Sequence, residues 1–211
     1  IEDAIIDLLD NSIDGANKIN PNDYTGLKIN ITLSDSEFII EDNCGGFSLE
    51  VAQKYAFRFG RPDEAPKAHS TVGRFGIGMK RSLFKIGKEF VVESQSNDDH
   101  FKVIVDVDEW SKKTKKVTAD DGNELEIDDW NFNYQSIDNK KLDTDGTIIK
   151  VSNLNHEVTD LFCDDTFLNE LANDIQKLLN FSLLKGIQIT LNGRILKGNR
   201  IDVLISESAL P

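Results

Sequence analysis

The chain has 211 residues, with 37 acidic and 24 basic side chains and a formal net charge of −13. This length suits one domain or two small ones, and an apolar content of 39% is too high for a disordered chain. The acidic balance argues against a general surface that coats nucleic acid or an anionic membrane, because both need cationic faces. We expect no transmembrane span and no signal peptide, since the apolar runs are short.

The cysteines and the start of the chain bear on its setting. Two cysteines, Cys44 and Cys163, cannot build a disulfide framework, so we expect a reducing, cytoplasmic compartment. The chain begins without Met, inside an apparent helix, and we therefore expect it to be a fragment of a longer protein.

Helical and alternating spacings of apolar residues predict an α+β chain. The predicted elements are, in chain order, a helix over 3–19, strands over 27–33 and 37–41, a short helix over 48–57, a helix over about 78–87, strands over 89–95, 100–107 and 146–154, a helix over 165–181 and a hairpin over 187–196. Residues 58–75 indicate a long loop, and 108–145 a polar insertion with one hairpin. We expect one mixed, mostly antiparallel sheet with helices on one face.

Polar side chains on the first helix and after the second strand could act on a ligand. Asp7 and Asn11 are four residues apart and project side by side, so they could orient water and ligate Mg²⁺. In the turn over 42–46, Asp42 can accept an exocyclic amine, and the glycines that follow let a flat ring approach the backbone. Taken alone, the helix face could simply be solvated and the turn simply tight.

Two further patterns lie at the start of a predicted helix and of a predicted strand. Residues 73–78, Gly-Arg-Phe-Gly-Ile-Gly, offer backbone N–H groups and a positive helix end to phosphates. No strand precedes this motif as a dinucleotide fingerprint would require, and the sequence has no GxxxxGK[ST] motif. Gly146 and Thr147 open a strand with a hydroxyl, which alone is uninformative because Thr is common in strands.

In this order, the four patterns resemble the motifs of the GHKL ATPase superfamily, which includes gyrase B, a large heat-shock chaperone, histidine kinases and MutL. Residues 7–14 resemble the N-box, and residues 42–46 the adenine-binding motif. Residues 73–82 resemble the phosphate lid, in the style of MORC and MutL-like prokaryotic ATPases, and Gly146-Thr147 fits the last motif. The resemblance covers residues 3 to about 154. It implies a Bergerat-type two-layer sandwich in a single domain over 1–211, with an ATP lid over 57–76.

The resemblance also implies a function: Mg²⁺-dependent ATP binding and slow ATP hydrolysis. ATP would order the lid and promote homodimerisation of the full-length protein or signalling to further domains. Asp42 would accept a hydrogen bond from the adenine amine, supported by Thr147 through a water, and Gly46 would leave room for the base. Asn11 would ligate Mg²⁺, and glycine amides would cap the terminal phosphate. The nucleotide-binding residues that the resemblance implies are Asn11, Asp14, Asp42, Gly45, Gly46, Gly73, Phe75, Gly76, Ile77, Gly78, Met79, Lys80 and Thr147.

Two positions depart from the family pattern. Asp7 stands where hydrolysing members usually carry a Glu as general base, so its carboxylate is set back by one methylene. Asp10, on the adjoining face, is the alternative base. Cys44 takes the first glycine position of the common Asp-x-Gly-x-Gly motif, followed by Gly45. We expect Cys44 to be a small packed residue, since nothing in the sequence indicates a depressed thiol pKa.

Two alternative functions stay open at this point. A histidine-kinase-type domain would pass phosphoryl to protein, although the chain lacks a phosphoacceptor helix pair and its glycine motif continues as Met79-Lys80. A module that senses ATP without hydrolysing it is compatible with the short side chain of Asp7. Whichever holds, the segment over 54–88 carries nine basic residues against two acidic ones, a local charge of +7 within an acidic chain.

Overall fold

The architecture is a sheet covered by helices, in a computed structural model that describes residues 1–57, 72–97, 99–119, 123–137 and 142–199, with the backbone alone over 72–77. Its helices are α1 (Glu2–Ile19), α2 (Leu49–Val51, continued by a π-helical turn, Ala52–Ala56), α3 (Val72–Ile86), α4 (Val107–Trp110), α5 (His156–Phe162), α6 (Asp165–Leu178) and α7 (Asn180–Leu184). Its strands are β1 (Lys28–Leu33), β2 (Glu37–Asp42), β3 (Gly87–Gln95), β4 (His100–Asp106), β5 (Thr114–Thr118), β6 (Glu124–Asp128), β7 (Tyr134–Ser136), β8 (Gly146–Leu154), β9 (Gln188–Leu191) and β10 (Arg194–Leu196).

Among these residues, eight strands form one sheet in the order β10-β9-β1-β2-β8-β3-β4-β7. The pair β1–β9 is parallel and the other pairs of this sheet are antiparallel. Strands β5 and β6 form a separate antiparallel hairpin. The predicted α+β class with a mixed, mostly antiparallel sheet is confirmed.

One face of the sheet supplies the hydrophobic core. In β1 and β2, alternate side chains such as Ile31 and Phe38 are buried, as the period of two in a strand requires. The buried faces of α1 and α6, including Leu8 and Leu171, belong to the same core cluster. Side chains on the opposite face are more open, for example Ile104, which is 49% exposed. The described residues therefore share one core between the sheet and its helices.

The structure differs from the predicted elements in three places. Helix α3 begins at Val72, six residues before the predicted start, although glycine has a low helix propensity. The insertion contains α4 and β7 besides its hairpin, and β7 extends the sheet at the edge of β4. The helix predicted over 165–181 breaks at Leu179 into α6 and α7.

Parts of the prediction fall outside the described residues. These are most of the predicted lid, at 58–71, and the tip of the predicted hairpin, at 120–122. Within the described part of the chain, no helix combines the length and the apolar character that a bilayer crossing requires.

Candidate functional site

A cleft opens between α1, the turn after β2, the start of β8 and α3. Its lining combines apolar and polar side chains. The residues that line it are Leu8, Asn11, Ser12, Gly15, Lys18, Ile40, Asp42, Cys44, Gly46, Phe47, Met79, Thr147 and Ile149. Five of the predicted nucleotide-binding residues are thus brought together here: Asn11, Asp42, Gly46, Met79 and Thr147.

The carboxyl group of Asp42 is held in a fixed orientation at the end of β2. The Ser12 hydroxyl donates to Oδ2 at 2.7 Å, and the Cys44 N–H donates to Oδ1 at 2.8 Å. Asp42 pairs with Thr147 of β8 across the sheet. Burial raises the pKa of Asp42, and these hydrogen bonds oppose that rise because they stabilise the ionised form. The group is therefore an oriented hydrogen-bond acceptor whenever it is ionised.

The turn that follows Asp42 depends on glycine. Gly45 and Gly46 have φ values of +91° and +58°, in the region that side chains disfavour. A Cβ on Gly46 would overlap the carbonyl oxygen of Gln95, and one on Gly146 would overlap the carbonyl oxygen of Asp42. Sequence reasoning gave Gly46 the role of leaving room for a base. In the structure, its lack of a side chain first of all lets two backbone segments meet beneath the cleft.

Gly15 and Ser12 shape this site and were missed by sequence reasoning. A Cβ on Gly15 would lie 2.5 Å from the Cys44 carbonyl oxygen, so α1 approaches the turn as closely as a glycine permits. The glycine in the middle of a helical pattern was the available signal. Cys44 is buried, which raises the pKa of its thiol, so it packs as a small neutral side chain.

The polar face of α1 points in several directions. Asn11 lines the cleft and is half-buried, whereas Asp14 is half-buried but does not line it. Asp7 and Asp10 are exposed. The Oδ2 atom of Asp7 lies 3.9 Å from the position that a Cβ on Gly78 would take, so this carboxylate faces α3 beside the cleft.

The glycine-rich segment over 73–78 is helical, which corrects the expectation of a loop with exposed amides. In an α-helix, the first four N–H groups lack intrahelical acceptors. Because α3 begins at Val72, the Gly73 amide lies among them, whereas the amides of Gly76 and Gly78 lie further into the helix. The three amides that were predicted to cap a phosphate together are not all presented in this conformation.

Two predicted residues follow in α3. Met79 is buried and lines the cleft. Lys80 is 5% exposed, and burial lowers the pKa of its ammonium group to about 8. No group of three or more His, Cys, Asp or Glu residues that could hold a metal ion occurs within the part of the chain that the structure describes.

Comparison with known proteins bears on the family and the fold. Residues 1–144 match the family model described as histidine kinase-, DNA gyrase B-, and HSP90-like ATPase. The chain is also similar to the solved Aquifex aeolicus MutL ATPase domain complexed with ADP, at a TM-score of 0.52 and 16% identity, over 95% of this chain and 64% of that chain. At this identity the likeness concerns the fold. No curated protein gives a significant match. Since the family model spans more than half of its residues, the chain belongs to the histidine kinase-, DNA gyrase B- and HSP90-like ATPases.

Proposed function

We propose that this chain binds ATP with Mg²⁺ in the cleft beside α1 and hydrolyses it slowly. The observation that carries the proposal is the Asp42 carboxyl group, which is oriented by Ser12 and the Cys44 amide at the base of a cleft lined by apolar side chains. An oriented acceptor beside apolar side chains suits the adenine base, which has apolar faces and an exocyclic amine at its edge. Family membership supports the same ligand.

Adenine recognition rests on complementary hydrogen-bonding groups. Ionised Asp42 is an acceptor only, and the exocyclic amine of adenine is a donor. Thr147 pairs with Asp42 across the sheet and lines the cleft, and it would support the carboxylate through a water. Ile149 and Met79 supply apolar contact with the faces of the ring.

Phosphate binding involves Asn11 and the start of α3. The Asn11 carboxamide would hold Mg²⁺ through its oxygen, and the phosphates and waters would complete the coordination shell, which is how Mg²⁺ is usually bound. This donor suits Mg²⁺, because the Asn11 amide oxygen is a hard ligand and the residue lines the cleft. When bound, Mg²⁺ neutralises charge on the phosphates. The Gly73 amide and the positive end of α3 would bind the terminal phosphate.

Asp7 is the proposed general base. Its carboxylate faces α3 next to Gly78, so it can polarise a water directed at the terminal phosphate. An Asp reaches less far than a Glu by one methylene, and we therefore expect slow turnover. Asp10 is the alternative base.

The larger consequences of ATP binding are also part of the proposal. ATP would order a lid over 57–76, of which residues 58–71 lie outside the described part of the chain. The ordered lid would promote homodimerisation of the full-length protein or signalling to further domains. The free thiols of Cys44 and Cys163 support a cytoplasmic setting.

A pair of variants tests this function. Asp42→Ala should reduce ATP affinity at least about 100-fold, because a buried acceptor of a ligand hydrogen bond is removed. Asp7→Asn should keep ATP affinity within about threefold and reduce phosphate release at least about tenfold. Titration calorimetry gives the affinities, and a phosphate-release assay gives the turnover.

Each result has a contrary outcome. Unchanged ATP affinity in Asp42→Ala would refute the adenine assignment. Undiminished hydrolysis in Asp7→Asn would move the base role to Asp10. Tight ATP binding without any phosphate release from the wild-type protein would identify a module that senses ATP, for which the short and exposed Asp7 side chain is the supporting observation.

A further inference from the structure

A row of aromatic rings joins α3 to the helical turn before residue 58. Phe84 of α3 stacks on Trp110 of α4, with ring centroids 5.8 Å apart and planes 28° apart. Trp110 stacks in turn on Phe132 at 5.1 Å and 19°. Phe132 contacts Phe57 at 5.2 Å. Trp110 is therefore one of the two central rings between α3 and the end of the π-helical turn.

The insertion that supplies Trp110 is anchored at this point. The Asp106 side chain caps α4 by accepting from the Glu109 N–H at 3.1 Å. The Trp110 indole N–H donates to the Asn131 carbonyl at 3.2 Å, which ties α4 to the segment that carries Phe132. Both central rings of the row thus come from the polar insertion that sequence analysis left without a role.

The row also reaches the cleft from a second side. Phe57 contacts Tyr134 at 6.2 Å, Tyr134 contacts Phe101 at 6.5 Å, and Phe101 contacts Phe47 at 5.5 Å. Phe47 lines the cleft, and α3 lines it through Met79. The rings therefore brace α3 against the same framework that forms the adenine end of the cleft.

We propose that Trp110 is a positioning residue that sets where α3 stands over the nucleotide phosphates. The inference rests on the proposed function, because α3 carries Gly73 and faces Asp7. Aromatic pairs favour defined stacking geometries, so a stacked ring fixes α3 in a way that an aliphatic side chain of similar burial does not. Adenine binding rests mainly on Asp42 and the sheet and involves α3 only through Met79, so a shift of α3 should affect the phosphate contacts more than the adenine contacts.

The chain offers a matched control. Trp130 also contacts Trp110, at 5.1 Å and a tilt of 59°, but it is 46% exposed and lies on the outer side of the row. Substituting Trp130 also removes an indole ring from the insertion, but it leaves the stack of Phe84, Trp110 and Phe132 in place. The two tryptophans are the whole tryptophan content of the chain, so Trp130→Phe leaves Trp110 as the sole indole fluorophore.

The experiment compares Trp110→Leu, Trp110→Phe and Trp130→Leu with the wild type. Trp110→Leu should lower kcat about tenfold or more and weaken binding of a non-hydrolysable ATP analogue, because small displacements of reacting groups are costly. Its affinity for ADP should fall less than its affinity for the ATP analogue, because Asp42 and Ile149 keep their contacts with adenine and only Met79 moves with α3. Trp110→Phe should restore most of the loss, and Trp130→Leu should behave as the wild type. In Trp130→Phe, the ATP analogue should change the Trp110 emission more than ADP does.

Several outcomes would overturn the inference. Unchanged kcat and analogue affinity in Trp110→Leu would show that the stack does not position α3. In a second outcome, Trp110→Leu loses affinity for ADP and for the ATP analogue equally, its unfolding midpoint falls, and Trp130→Leu shows the same losses. That result would mean that Trp110 contributes only to stability. Wild-type protein that binds neither ADP nor the analogue would instead refute the proposed function.

Discussion

The hydrogen bond from Ser12 to Asp42 stabilises the ionised form of a carboxyl group that lines the cleft. Burial raises the pKa of Asp42, while donation from Ser12 and from the Cys44 amide favours its ionised form. Protonation would place a donor on one carboxyl oxygen and remove the negative charge, which would weaken the match to the adenine amine. The protonation state of one carboxyl group therefore governs binding, and Ser12 helps to set it.

The first prediction concerns the pH dependence of ATP affinity. Affinity should be full above the pKa of Asp42 and fall as pH decreases through it. Because that pKa is raised, the loss should occur at a higher pH than for an ordinary Asp. Ser12→Ala removes a donor to the ionised form, so the midpoint should move up by about one further pH unit. Calorimetric titrations over a range of pH measure this midpoint.

Ser12→Thr is the matched control, because it keeps the hydroxyl donor and should keep the wild-type midpoint. A loss of affinity in Ser12→Ala that is equal at every pH would contradict the prediction. It would mean that Ser12 contributes to the shape of the cleft and leaves the ionisation of Asp42 unaffected.

At the residue scale, the sequence predicts those site residues that belong to local motifs. Asn11, Asp42 and Thr147 stand in recognisable spacings, and the structure places them in one cleft. The donation from Ser12 to Asp42 joins residues 30 positions apart, and no local pattern reports such a pair. A glycine inside a helical pattern, such as Gly15, indicates a close backbone approach. The sequence does not show that the approaching backbone is that of Cys44, in the turn after β2.

At the scale of elements, α3 is a helix although it contains several glycines, which disfavour helix formation. Each glycine within a helix costs about 1 kcal/mol relative to alanine, yet α3 is helical from Val72. Its second half is packed into the core by buried residues such as Leu83 and Ile86. If the amides of Gly76 and Gly78 are to reach a phosphate, the first two turns must unwind, and the glycines lower the cost of that change.

The second prediction separates the two ways in which α3 could bind phosphate. Gly78→Ala is sterically accommodated, since the added Cβ would lie 3.9 Å from Asp7 Oδ2. It should raise the free energy of unfolding by up to about 1 kcal/mol by improving helix propensity. If the first two turns of α3 must unwind to bind phosphate, the substitution should weaken ATP binding several-fold with ADP affinity unchanged, because the stiffer helix resists unwinding.

Denaturant unfolding and calorimetry provide both quantities, and Gly193→Ala serves as a control outside the site. Gly193 lies in the hairpin turn with a φ of +78°, so its substitution should destabilise the fold without changing the ratio of ATP to ADP affinity. ATP affinity that is unaltered in Gly78→Ala would show that an intact α3 binds the phosphate through its first turn.

The elements that sequence patterns predicted are those with a regular period. The strands β1, β2, β3, β4 and β8 alternate buried and open positions, and their boundaries fall within about two residues of those predicted. Helix α4, with four residues, and β7, with three, are too short to establish a period. Their placement depends on partners far along the chain, such as Asn131 for Trp110 and β4 for β7.

At the scale of the whole molecule, the net charge of the chain and the charge of its basic segment have opposite signs. The chain carries −13, but the segment over 54–88 carries +7, which leaves −20 on the remainder. A chain of 211 residues has a radius of gyration of about 17 Å. The Debye length is about 30 Å at 0.01 M salt and about 10 Å at 0.1 M. A nucleotide therefore experiences the whole charge at the lower salt and mainly the local charge at the higher.

The third prediction follows from these lengths and from the proposed position of that segment over the phosphates. The association rate of ATP should rise between about 0.01 M and about 0.1 M NaCl, as screening removes the repulsion by the whole chain, and fall towards about 1 M, as it removes the local attraction. Stopped-flow tryptophan fluorescence measures the rate, and uncharged adenosine should associate at a rate that salt leaves nearly unchanged. A steady rise for ATP would mean that the basic segment lies away from the phosphates. A steady fall would mean that its attraction outweighs the net charge even when the whole chain is felt.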